Sequence, residues 1–229
     1  MVKFERLDTE KSRKAIQSLV KARRSRRSYN TPEVCEALKE MFHEKCYICE
    51  SKHVTSYNIE HLTPHQGNAD CKYNWDNLFL SCSHCNNTKQ SRHIPILDCS
   101  KVEVDRCISF HFLDSLQNEK EILIEALDEA IETQHTCELL MEVYYGRTPQ
   151  KKLEARIIRR ELRRQLLAFK ADIREYLEAD EGDDKHDLYC KIQRELSNRS
   201  EYTAFKRWLI WDNKEMCRDL LPLLEKLSV

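Results

Sequence analysis

Glycine and proline are scarce, at 3 and 5 in 229 residues. With 34% charged residues, that scarcity points to a helix-rich, compact chain rather than a disordered one. It also argues against an all-β sandwich, whose many turns need both residues. No apolar run is long enough to cross a bilayer, and the charged N-terminus has no hydrophobic leader segment. The expectation is a soluble, cytoplasmic protein with no membrane association. Excess charge is missing too: 38 Lys and Arg stand against 39 Asp and Glu, so total charge gives no general pull toward a polyanion.

What the chain does have is charge in blocks, helical periodicity and cysteine. Charged residues make up 34% of it, and the first 27 residues are basic, with Glu5, Asp8 and Glu10 against ten Lys and Arg. Residues 9–29 read as a basic helix with a sparse apolar stripe of Ile16, Leu19 and Val20. Thr31-Pro32-Glu33 reads as a helix start, with a hydroxyl cap, proline at the first helical position and a carboxylate at the positive end of the dipole. Val34, Ala37, Leu38 and Met41 carry that helix to about His43. Residues 44–90 lose helical spacing. There Tyr57–His61 and Asn77–Leu80 each read as a short strand, and a short helix opens at about Asn86. Helical patterning returns later, predicting helices over 119–144, 149–178, 186–197 and 200–227. Gly146 to Pro149 and Gly182 break them, and Pro222 bends or restarts the last.

The 11 cysteines are an odd number, and no leader directs the chain to an oxidising compartment, so close cysteine pairs read as metal ligands rather than disulfides. Cys46-Tyr-Ile-Cys49 and Cys82-Ser-His-Cys85 are two C-x2-C knuckles. Together they supply the four thiolates of a tetrahedral structural Zn²⁺ site. The insert between them, residues 50–81, is longer than a plain zinc ribbon needs, so it should contain something further.

The insert contains Tyr57-Asn-Ile-Glu60-His61-Leu-Thr-Pro64 and then Asn74-Trp-Asp-Asn77-Leu78, and the second knuckle continues as Cys85-Asn86-Asn87-Thr88-Lys89. This order resembles the HNH (ββα-metal) nuclease family. The resemblance implies an α+β fold, mainly α: a small zinc-stapled ββα-metal core over 45–112, flanked by an N-terminal basic helical segment (1–44) and a C-terminal helical domain (113–229). It implies roles as well. His61 is the general base that activates water, Glu60 is the acidic metal ligand, and Asn86 helps hold the metal, with Asn87 as its substitute if the register differs by one. Asn77 fixes the loop by bonding to backbone. Carboxylate and amide oxygens suit Mg²⁺ or Mn²⁺, whereas the thiolates suit Zn²⁺. An imidazole suits the base because its ordinary pKa is near neutrality. Lys89 either contacts a phosphate or caps structure. His65, Cys71, His84 and His93 stay unassigned.

Beyond the motif, the helix leading into Cys46, the Ile-Glu-His triplet, Ile94-Pro-Ile-Leu-Asp98, Ile108-Ser-Phe-His-Phe112 and Glu201-Tyr-Thr-Ala-Phe-Lys-Arg-Trp208 make the chain similar to the PtuB-like HNH subunits of Septu-type anti-phage systems, including those attached to retrons. That likeness implies a partner, an ABC/SMC-like ATPase of the PtuA type, and a nucleic-acid target, DNA or tRNA. Between Lys151 and Leu177 one helical face should carry Ala155, Ile158, Leu162, Leu166, Phe169, Ile173 and Leu177, and the opposite face Arg156, Arg159, Arg160, Arg163 and Arg164. Those guanidiniums could bind phosphates, dock an acidic partner or lie solvated beside Glu154 and Glu161. Lys89, Arg156, Arg160 and Arg163 are the expected nucleic-acid contacts, and Trp208 and Trp211 are expected to pack or to anchor an interface. The competing readings are a zinc module that binds nucleic acid without cleaving it, and a structural subunit whose knuckles organise an interface.

Overall fold

The computed structural model describes residues 1–52, 54, 56–90, 93–113 and 121–226. Two helices open the chain, α1 (Glu10–Arg24) and α2 (Pro32–Met41). Thr31 caps α2 through its hydroxyl, which accepts from the Val34 amide at 3.3 Å, and Pro32 occupies the first turn. The buried face of α1 is Ser12, Ala15, Leu19 and Ala22. Of the expected stripe only Leu19 is covered; Ile16 and Val20 are 43% and 45% exposed. Small residues turn inward because α1 lies close against α2.

β1 (Tyr57–His61), α3 (Ala69–Lys72) and a single 3-10 turn (Trp75–Asn77) lead to β2 (Leu78–Cys82), which runs directly into α4 (Ser83–Lys89). β1 and β2 pair antiparallel, with Tyr57 opposite Cys82 and His61 opposite Leu78. Every residue of β2 is buried, so the strand is held from both faces and its register is fixed. α4 begins three residues before Asn86, where the sequence had suggested a start.

Beyond residue 93 come α5 (Val104–Cys107), β3 (Ile108–Phe112), β4 (Ile122–Ala126), α6 (Ile131–Tyr145) and α7 (Pro149–Glu178). The helix expected over 119–144 is therefore a strand followed by a shorter helix; residues 119 and 120 lie outside the described residues. β3 pairs antiparallel with β4, Ile108 opposite Ala126 and Phe112 opposite Ile122. The division expected at 112/113 thus falls between two strands of one sheet. The chain finishes with α8 (Asp183–Leu196), α9 (Thr203–Asp212), a 3-10 turn (Arg218–Leu220) and α10 (Leu221–Lys226). The helix expected over 200–227 breaks at Asn213 and restarts at Leu221, with Pro222 in the first turn of α10; residue 227 lies outside the described residues.

Two apolar clusters hold this together. The larger joins the N-terminal residues, both knuckles, β1 to β4, α6, the middle of α7 and Phe205. The smaller joins Phe169, Ile173 and Tyr176 of α7 to Ile192, Leu196, Ile210 and Leu220. The expected inward face of α7 holds except at its end, where Tyr176 is buried and Leu177 is 36% exposed. Among the described residues no helix is long and apolar enough to cross a membrane.

Candidate active site

The two knuckles meet. Cys46, Cys49, Cys82 and Cys85 are buried, none forms a disulfide, and their sulfurs all lie within 4.8 Å of one another. Cys49 and Cys82 are 3.9 Å apart at sulfur, close to the ~3.8 Å edge of a tetrahedron with zinc–sulfur bonds of about 2.3 Å. Cys82 ends β2 and its sulfur accepts from the Cys85 amide at 3.4 Å, the turn geometry of a knuckle. Burial pushes the Cys85 thiol well up, whereas against its own burial the Cys46 thiol is pulled down by contacts with the other three sulfurs. Four convergent buried sulfurs therefore fit a metal ion.

His84, inside the second knuckle, is occupied elsewhere. Its Nδ1 lies 2.7 Å from the Glu154 carboxylate of α7 and its Nε2 2.9 Å from the Val143 carbonyl of α6. It ties the knuckle to both helices. His93 is buried, with Nε2 3.1 Å from Glu142. Neither joins the cysteine cluster.

A cleft of about 380 Å³ opens at the end of β1. Its walls include Glu60, His61, Asn86 and Lys89, together with Tyr29, His65 and Gln90. The His61 Nε2 lies 3.0 Å from the Lys72 carbonyl. A carbonyl can only accept, so Nε2 carries the proton and Nδ1 keeps the free lone pair. Burial lowers the His61 pKa, with the Lys72 bond acting against it. Tyr29 and His65 meet the ring edge-on, with centroids 4.5 and 4.8 Å away, and fix its plane.

Glu60 is 6% exposed. Tyr47 donates to its Oε1, and the Lys89 ammonium is 3.7 Å from the same oxygen. Oε2 takes part in neither contact. Burial raises the carboxyl to about 7, against the pull of Lys89 and Tyr47. Glu60 and Asn86 thus bring a carboxyl and an amide oxygen to one cleft, the donor types that hard divalent ions take. Asn86 is partly exposed and Asn87 exposed, and only Asn86 lines the cleft.

Asn77 does not face the cleft. Its Nδ2 donates to the Thr63 carbonyl at 2.8 Å and its Oδ1 accepts from the Thr63 amide at 2.8 Å. The loop beyond His61 is clamped by both backbone groups of one residue. Cys71 sits beside the clamp, its sulfur 3.1 Å from Asn77 Nδ2.

The expected nucleic-acid contacts fare differently. Lys89 is 1% exposed, and its ammonium donates to the carbonyls of His61 and Leu62 at 2.7 and 2.9 Å. It secures the backbone at the base of the cleft, the structural role that the sequence left open beside a phosphate contact. Arg163 binds Glu121, as does Arg159, and Arg164 binds Glu161. Arg156 and Arg160 are exposed with no ion pair among the described residues. No arginine of α7 lines the His61 cleft. Sequence reasoning missed Tyr29, Tyr47 and the Lys72 carbonyl, whose roles depend on partners distant in the chain and leave no local signal. Trp208 and Trp211 pack on each other, and Trp208 on His111.

No family model matches the chain, and no solved structure matches it. A stretch of 84 residues is 36% identical to the Septu protein PtuB of Bacillus mycoides (strain KBAB4), taking in 30% of this chain and 28% of that protein. The chain thus spans little more than a quarter of the relative it matches. The likeness supports a Septu-like relationship.

Proposed function

We propose that this chain is the HNH-type nuclease subunit of a Septu-like anti-phage defence complex, hydrolysing nucleic-acid phosphodiester bonds, DNA foremost, beside an ABC/SMC-like ATPase partner. One observation carries the reading: Glu60, His61 and Asn86 line a single cleft whose strand and helix meet at four buried cysteines. The partial likeness to Septu protein PtuB points the same way. The four thiolates take zinc as a structural brace. Glu60 through Oε2 and Asn86 through its amide oxygen would hold Mg²⁺ or Mn²⁺, which supplies charge neutralisation at the phosphate when bound.

The chain's own residues supply the rest. His61, neutral near pH 7 because burial holds its pKa low, takes a proton from water at Nδ1. The Lys72 carbonyl keeps Nε2–H in place and so fixes the tautomer, and it favours the imidazolium that forms. Tyr29 and His65 hold the ring in plane. Lys89 holds the carbonyls of His61 and Leu62 and Asn77 holds Thr63, so the base does not drift with the loop.

The test is plasmid nicking with added Mg²⁺ or Mn²⁺, with and without the ATPase partner. His61→Ala should lower the rate by about 100- to 10,000-fold while zinc content stays the same. Equal rates in wild type and variant would remove His61 as the base. A wild type silent under every condition that still binds nucleic acid would favour the non-catalytic zinc module.

A further inference from the structure

The last turn of α1 and the turn after it carry Lys21, Arg23, Arg24, Arg26 and Arg27, all exposed. Three contacts place this segment beside the His61 cleft. Arg23 ion-pairs with Asp70 of α3. Tyr73 donates its hydroxyl to the Arg27 carbonyl at 2.7 Å. Tyr29, two residues on, forms part of the cleft wall against His61. Of the five cations only Arg23 has a carboxylate partner among the described residues.

Helix polarity explains basic residues in the last turn of α1, but not those beyond it. Arg26 stands at φ +54°, a left-handed position where glycine or asparagine would sit with less strain. A turn made only to join two helices has no need of arginine there. The competing basic face, on α7, is a poorer match to a polyanion. Arg159 and Arg163 are engaged by Glu121. Leu153 and Ile157, 63% and 61% exposed, stand among the remaining arginines, and aliphatic side chains give a phosphate nothing to bind.

We infer that residues 21–27 form the edge that grips the sugar–phosphate backbone of a polynucleotide whose scissile bond enters the His61 cleft. Forked guanidiniums of Arg24, Arg26 and Arg27 bind phosphate oxygens, and the pinning of this turn by Asp70, Tyr73 and His61 sets the strand's path relative to the base. This inference rests on the nuclease reading for the identity of the cleft, but its binding consequence is measured separately.

The experiment uses the full chain with zinc bound and follows the anisotropy of a fluorescein-labelled DNA duplex, and of the matching single strand, across a potassium chloride series. The triple variant Arg24→Ala, Arg26→Ala, Arg27→Ala should weaken binding by about tenfold or more, and the slope of log affinity against log salt should fall by about 0.9 for each duplex phosphate that is no longer neutralised. The same three positions changed to lysine should keep most of the slope, which separates charge from misfolding. Arg156→Ala with Arg160→Ala should leave affinity and slope where they were. A triple variant with the wild-type slope overturns the inference. So does a loss confined to the α7 pair, or a wild type that binds neither probe. Binding that depends on the three arginines, with nicking silent in Mg²⁺ and Mn²⁺ both with and without the ATPase partner, would sink the nuclease reading and leave the edge standing. His61-dependent cleavage with unimpaired binding by the triple variant would do the reverse.

Discussion

The two apolar clusters of this molecule are built from different materials. The larger one contains charge: Lys45, Glu50, Glu60 and Lys89 are each 6% exposed or less. Glu50 shows how this is tolerated. Burial would raise its pKa, yet the Met1 amine at 3.0 Å and Lys45 at 3.1 Å hold it down at about 2. The smaller cluster, between α7, α8, α9 and α10, is mostly aliphatic and aromatic, its buried charge lying at the α9 edge, where Lys206 lies over the Phe169 ring and Arg207 donates to the Leu196 carbonyl. Apolar helices packed on one another are held by area removed from water. A region rich in buried polar groups and short strands has less such area and depends on each partner being present. The difference teaches where the fold is brittle: in the part built around the four cysteines and the candidate site, and not in the helical part.

Metal removal is the strongest way to break that comparison. Chelation, or Cys82→Ser, should forfeit a contribution of the order seen for structural zinc, about 10–16 kcal/mol in small peptides. Hydrogen exchange should then lose protection in residues 46–90 while α8 and α10 keep theirs. Simultaneous loss in both regions would show one brittle unit rather than two materials. Next in size is Phe169→Ala, which empties the middle of the smaller cluster and should cost about 3–5 kcal/mol in urea unfolding, with zinc content unchanged. If zinc is lost along with that stability, the regions are not separable. The smallest effect sharpens the picture within the brittle part. Asn77→Ala leaves the Thr63 amide and carbonyl without their partner and should cost about 1–3 kcal/mol. Nicking should fall with it although the cleft residues are untouched, and unchanged nicking would relieve Asn77 of its clamp role.

Legibility divides along the same line. α2 and α7 could be read within a residue or two at most, because cap, proline and periodicity agree locally: Thr31 and Thr148 both cap their helices by side chain. β1 was legible as well. β4 was not, since Ile122-Leu-Ile-Glu-Ala suits either a helix or a strand, and only pairing with β3 decides it. In α1 the apolar residues Ile16 and Val20 misled, because helix contact there selects small side chains. At the candidate site the residue types and their order announced Glu60, His61 and Asn86, and the cleft brings them together. Lys89 could not be read. Its identity suggests a surface cation, and only the backbone carbonyls folded over it show otherwise.

One element belongs to both materials. α7 runs for 30 residues, about 45 Å at the helical rise, with Leu162 and Leu166 in the larger cluster and Phe169, Ile173 and Tyr176 in the smaller. Near its start, Glu154 holds His84 of the second knuckle. The helix is therefore a tie-rod. One continuous helix connects the packing of α8 to the knuckle that opens α4, the helix carrying Asn86.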